Sequence, residues 1–148
     1  MNMVFIDDDL EILHVYDSYV SDLPKELNFH GQYLQDSRKL KDPQTMMRLV
    51  LAADAIFCDL AMPEFDGREM LDIVMDVRQH LRKTIPFFIV TGASPNYCAF
   101  DDTGWGKLVK ADDVLTKPLL FDDFSEILAK HGLIKPKPIN STRLFSAS

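Results

Sequence analysis

Short apolar runs alternate along this chain with longer stretches whose apolar residues recur at helical spacing. Met3-Val4-Phe5-Ile6 reads as a buried strand that stops at Asp7-Asp8-Asp9. Over 10–23, Ile12, Leu13, Tyr16, Tyr19, Val20 and Leu23 trace one face of a helix. Asp9 is placed to cap that helix and Pro24 to end it. A weaker strand is predicted over 27–34, where Phe29, Gly31 and Tyr33 interleave with polar residues. A polar connection over 35–42 leads to Pro43, which suits the first turn of a helix with Met46, Met47, Val50 and Leu51 on its apolar face.

Ala55-Ile56-Phe57-Cys58 is the next strand and again stops at an acid, Asp59. A loop with Pro63 and Gly67 follows, then a helix to about Arg82 carrying Met70, Leu71, Val74, Val77 and Leu81. A fourth strand, over 86–90, ends at Thr91-Gly92. Over 94–111, Pro95, Gly104 and Gly106 break any long helix. Val114-Leu115-Thr116 gives a short fifth strand before Lys117-Pro118. Leu120, Phe121, Phe124, Ile127 and Leu128 mark a last helix that Gly132 can cap. Five β-α repeats with near-continuous apolar strands predict an α/β domain, a parallel sheet covered on both faces.

Composition narrows the function. A chain of 148 residues, 47% hydrophobic, forms one core. The net charge of −7 argues against duplex nucleic acid and anionic lipid as partners. Residues 132–148 hold three of the 16 basic residues and none of the 23 acids, so residues 1–131 carry −10. We therefore expect a domain over 1–131 and a linker or flexible tail over 132–148. Cys58 reads as a buried small hydrophobe, and Cys98 as an exposed residue in a polar segment. Two cysteines make no disulfide framework. With no signal peptide and no run of about 20 apolar residues, the expected setting is the cytoplasm, away from the membrane.

Ligands of open parallel sheets bind at the carboxyl ends of the strands. Those ends carry Asp7-Asp8-Asp9, Asp59, Thr91 and Lys117. One acid after a strand is commonly a helix cap. Carboxylates, a hydroxyl and an ammonium at one edge are harder to explain by capping. Converging carboxylates repel and need a cation or a shared proton. Oxygen-only ligands suit Mg2+, which binds through one or two carboxylates with phosphate oxygens. His14, His30, His80 and His131 are scattered and read as surface residues, so zinc is not expected. A carboxylate beside Mg2+ can attack phosphorus, with the metal and Lys117 neutralising the phosphoryl oxygens.

Four segments resemble the motifs of response-regulator receiver domains: Ile6-Asp7-Asp8-Asp9, Asp59-Leu60-Ala61-Met62-Pro63-Glu64-Phe65-Asp66-Gly67, Val90-Thr91-Gly92-Ala93 and Leu115-Thr116-Lys117-Pro118-Leu119. The resemblance covers residues 1 to about 131. It implies a flavodoxin-like (βα)5 doubly wound sheet of strand order 2-1-3-4-5, with an irregular fourth helix region. It implies Asp59 as phosphoacceptor, Asp8 as a direct Mg2+ ligand, Asp7 acting through a metal-bound water, and the backbone carbonyl of Ala61 as a further ligand. Thr91 would be the switch hydroxyl and Lys117 the phosphate-pairing lysine, followed by Pro118 after a cis peptide. The implied partners are a sensor histidine kinase or histidine phosphotransfer protein, with a downstream effector domain or protein and a homodimer left open. The domain would promote its own phosphorylation and dephosphorylation without turning over an external substrate.

Three departures stand out. Val114 occupies a place, three before the lysine, where the family usually has an aromatic residue. The stretch between Thr91 and Lys117 is long and carries Trp105. Ala61 and Ala93 stand where polar side chains can orient a hydrolytic water, so these positions are expected not to hasten loss of the phosphoryl group. Two rival readings remain. A pseudo-receiver would keep the fold and lack phosphorylation. A haloacid-dehalogenase-type phosphatase would use Asp7 as nucleophile, with Asp9, Thr91 and Lys117, and would leave Asp59 without a role.

Overall fold

The computed structural model describes residues 1–59, 61–62, 65–92 and 112–136. Five strands form one parallel sheet: β1 (Asn2–Ile6), β2 (His30–Leu34), β3 (Ala55–Asp59), β4 (Phe87–Thr91) and β5 (Asp113–Thr116), in the order β2-β1-β3-β4-β5. This is the predicted 2-1-3-4-5 arrangement. Among the described residues the helices are α1 (Leu10–Ser21), α2 (Pro43–Ala52), α3 (Gly67–Leu81) and α4 (Phe121–Lys130), and none is long and apolar enough to cross a membrane. The irregular region expected over 94–111, with Cys98 and Trp105, lies outside the described residues, as do Ala93 and the tail from 137.

Alternation along the strands sorts the core into two layers. Met3, Phe5, Ala55, Phe57, Phe88 and Val90 face α1 and α4, where they meet Leu13, Tyr16, Phe124 and Leu128. Rings dominate this layer. Phe57 lies with its centroid 5.1 Å from that of Phe5, 4.8 Å from Phe88 and 5.4 Å from Phe124. Val4, Ile6, Ile56, Cys58, Phe87 and Ile89 face the opposite way, toward Met46, Val50, Leu71 and Val74 of α2 and α3. Each buried side chain of this size contributes about 1.5–3 kcal/mol relative to leaving it in water. Cys58 is buried there as expected.

Local chemistry explains the helix ends. Asp9 Oδ1 accepts the Glu11 amide at 2.9 Å and starts α1, and Asp42 caps α2 ahead of Pro43. Gly132, at φ 74°, turns the chain after α4. The peptide before Pro118 is cis.

The structure corrects several element assignments. The predicted strand over 27–34 begins only at His30. Lys25–Leu27 is a 3-10 turn, and Asn28 sits in the left-handed region at φ 51°, which strand pairing cannot use. The connection over 35–42 is not merely polar, because Ser37–Lys41 forms a 3-10 helix that drives Leu40 into the aliphatic layer at 1% exposure. On α2 the buried residues are Met46, Leu49 and Val50, whereas Met47 and Leu51 are exposed. Leu81 is likewise exposed, with α3 ending as Arg82 turns to φ 51°. The loop after Asp59 contains a two-stranded antiparallel ribbon, Ala61–Met62 with Phe65–Asp66. His14, His30 and His80 are exposed, but His131 is half-buried, its ring edge-on to Phe88 at 4.9 Å.

Candidate acidic site at the carboxyl edge of the sheet

Strand parity decides which functional side chains can meet. Met3 and Phe5 point into the aromatic layer, and the next residue of that parity is Asp7. In β3 the same series runs Ala55, Phe57, Asp59. In β5, Leu115 packs on the aromatic layer, and two residues on comes Lys117. Asp7, Asp59 and Lys117 therefore leave the sheet on one side. Thr91 follows Phe87 and Ile89 on the other, and Asp8 follows Val4 and Ile6.

The ionic geometry agrees with that sorting. Lys117 Nζ lies 2.8 Å from Asp7 Oδ2 and 3.3 Å from Asp59 Oδ2. Asp7 is 1% exposed and Asp59 9%, so the ammonium offsets two carboxylates that water barely reaches. The other oxygen of Asp7 accepts the Asp9 amide at 2.9 Å. Asp7 is thus held from both sides, while Asp8 is exposed. Oxygens of Asp7, Asp8 and Asp59 all lie within 4.8 Å of one another. Such a hard, oxygen-only donor set fits a small divalent cation such as Mg2+. Thr91 is buried at 4% exposure, and its carbonyl accepts the Lys117 amide at 2.8 Å. Ala61 opens the ribbon two residues after Asp59.

Burial pushes the Asp59 carboxyl above the usual carboxylate range; Lys117 pulls it down, and the negative charges of Asp7 and Asp8 push it further up. Burial alone would favour neutral Lys117. Its bonds and charge contacts with Asp7 and Asp59 outweigh this and hold the ammonium above the ordinary lysine range. A buried acid with a resident cation and an exposed second acid can take up added charge at its mouth and can present a carboxylate oxygen to an electrophile.

Two residues at the site were not singled out from sequence. Gln35 Nε2 donates to the Asp8 carbonyl at 3.4 Å. Tyr19 Oη donates to the Leu119 carbonyl at 2.9 Å. The signal for the second was available, since a tyrosine on an otherwise buried helix face needs a partner for its hydroxyl.

No family model matches the chain, and no curated protein does. Solved structures do. A CheY-like response regulator receiver domain from Methylobacillus flagellatus is 20% identical with a TM-score of 0.64, covering 88% of this chain and 97% of that one. A chemotaxis response regulator of Vibrio cholerae is 22% identical with a TM-score of 0.60, covering 90% and 98%. The receiver domain of a histidine kinase from Arabidopsis thaliana, complexed with Mg2+ and BeF3-, is 18% identical with a TM-score of 0.60, covering 86% and 89%. The fold of this chain is the CheY-like, flavodoxin-type fold of receiver domains.

Proposed function

We propose that this chain is a phosphorylatable receiver domain of two-component signalling. It accepts a phosphoryl group on Asp59 from the phosphohistidine of a sensor kinase or phosphotransfer protein. The observation that carries this reading is the cluster of Asp7, Asp8 and Asp59 with Lys117 bridging the two buried acids. The binding of Mg2+ and BeF3- by the Arabidopsis neighbour supports the same chemistry here.

In the proposed transfer a carboxylate oxygen of Asp59 forms a bond to phosphorus as the phosphorus–nitrogen bond of the donor breaks. The electron pair leaves with the imidazole, which takes up a proton from solvent. Asp8, Asp59 and the Ala61 carbonyl would hold Mg2+, with Asp7 acting through a water. The bound ion would supply charge neutralisation at the phosphoryl oxygens. Lys117 shifts its pairing from the Asp59 carboxylate to the phosphoryl group, remaining anchored on Asp7. Thr91 donates its hydroxyl to the phosphoryl oxygens once they arrive. Asp9 is left to helix capping.

The same proposal covers a receiver body over 1–131 and a linker or tail over 132–148, of which the first apolar residues, Leu133 and Ile134, still pack on the aromatic layer. It places the protein in the cytoplasm, its output passing to an effector domain or protein. It treats the chain as a switch with no external substrate. Beryllofluoride with Mg2+ tests it. Spectral shifts around Asp59 and Lys117 beyond those that Mg2+ alone produces should appear when both are present, and should vanish in Asp59→Asn. No Mg2+-dependent adduct on the wild-type chain would instead favour the pseudo-receiver.

A further inference from the structure

Asp7 and Lys117 are far apart in the sheet. Between β1, which precedes Asp7, and β5, which precedes Lys117, lie β3 and β4. At about 4.8 Å per strand the two chain positions are separated by roughly 14 Å. Their 2.8 Å ion pair therefore depends on the turn after β5 being held toward the α1 side of the sheet. That turn runs through Lys117, the cis-linked Pro118, Leu119 and Leu120. At its start the Lys117 amide is bound to Thr91. Pro118 has no amide to donate, and Leu120 begins α4 without a side-chain cap.

Tyr19 crosses this gap. It stands in α1, the helix that grows directly out of the Asp7-Asp8-Asp9 segment, and its hydroxyl reaches the Leu119 carbonyl at 2.9 Å, one hundred residues away along the chain. Its ring is fixed on the α4 side as well, edge-on to Phe121 at 5.5 Å and tilted against Phe124 at 5.6 Å. The ring packing sets where the hydroxyl sits, and the hydroxyl sets where the Leu119 carbonyl sits. The acid-bearing segment and the lysine-bearing turn are thus joined directly, bypassing the two intervening strands.

The geometry points to Tyr19 as a positioning residue for Lys117, its hydroxyl pinning the Lys117–Leu119 turn against α1 so that the ammonium stays between Asp7 and Asp59. This deepens the receiver reading and rests on it only for the consequence in phosphoryl binding.

Tyr19→Phe removes the hydroxyl and keeps the ring. In the full chain, amide hydrogen exchange at Lys117 should accelerate about threefold to tenfold, the scale of one lost hydrogen bond. Exchange at Phe5 and Phe57, in the core of the sheet, should stay at the wild-type rate. Beryllofluoride affinity in the presence of Mg2+ should fall by a similar factor, while affinity for Mg2+ alone changes less than about twofold, because the carboxylates are untouched. Unchanged exchange at Lys117 would overturn the proposal, as would uniform acceleration across the sheet, which marks a merely structural residue. A wild-type chain that forms no beryllofluoride adduct would sink the Asp59 reading, and the exchange comparison alone would then decide the role of Tyr19.

Discussion

On one face of the sheet Phe5 stacks on Tyr16 and Phe57, and Phe88 and Phe124 tilt against Phe57, between α1 and α4. On the other face Val4, Ile6, Ile56 and Ile89 meet the branched and methionine side chains of α2 and α3. Both layers are built on buried side chains, but they lead to different things. The aromatic series continues past the strand ends into Asp7, Asp59 and Lys117, and its two helices are tied together at the site by Tyr19. The aliphatic series continues into Asp8 and Thr91, and it also absorbs Leu40 from the 3-10 turn. Lys117 and the two acids it bridges therefore rest on the aromatic layer, while Asp8 and Thr91 approach from the aliphatic side.

Removing the cation at the top of the aromatic layer should give the largest effect. Lys117→Ala leaves nearly buried Asp7 without its cationic partner, and we expect a loss of about 2–4 kcal/mol in urea unfolding. A loss near zero would mean that the ion pair does not hold the edge together. The layers themselves can be compared with one substitution at adjacent residues. Phe87 and Phe88 are both 0% exposed and face opposite ways. Phe88 has ring partners in Phe57 and His131, and Phe87 has none among the described residues. Phe88→Leu should therefore cost about 1–2 kcal/mol more than Phe87→Leu. Equal costs would remove any energetic distinction between the faces.

The smallest effect is electrostatic and carries a sign. The raised Asp59 carboxyl binds its proton more tightly folded than unfolded. Its ionisation therefore erodes stability as pH rises from the ordinary carboxylate range through the raised value, with no further loss above it. Asp59→Asn removes that erosion. Measured across an acid-to-neutral series of thermal melts, the variant should gain slightly on the wild type as pH rises. A difference independent of pH would show that burial is not acting on this group.

Much of this was legible in the residues. Apolar strands followed by Asp7, Asp59, Thr91 and Lys117 specify the parallel sheet and gather these polar residues at its carboxyl edge. What could not be read arises from contacts distant in sequence. Leu40 sits among polar neighbours and is buried only because the 3-10 turn, packed beside α2, carries it into the aliphatic layer. The ribbon after Asp59 has two residues per strand, too short for any period to show. Asn28 ends the second strand's reach by its backbone angle alone. Parity predicts that Asp7, Asp59 and Lys117 share a side, but only the folded turn brings Lys117 within reach of both acids, and only there does Tyr19 acquire its partner.

The most direct test is to find the phosphoryl group. The chain should be incubated with acetyl phosphate and Mg2+, reduced with borohydride to trap any acyl phosphate, and cleaved for peptide mapping. The receiver account predicts a single reduced site, at Asp59, that disappears when Mg2+ is withheld. Reduction at Asp7 would contradict it and favour the phosphatase reading.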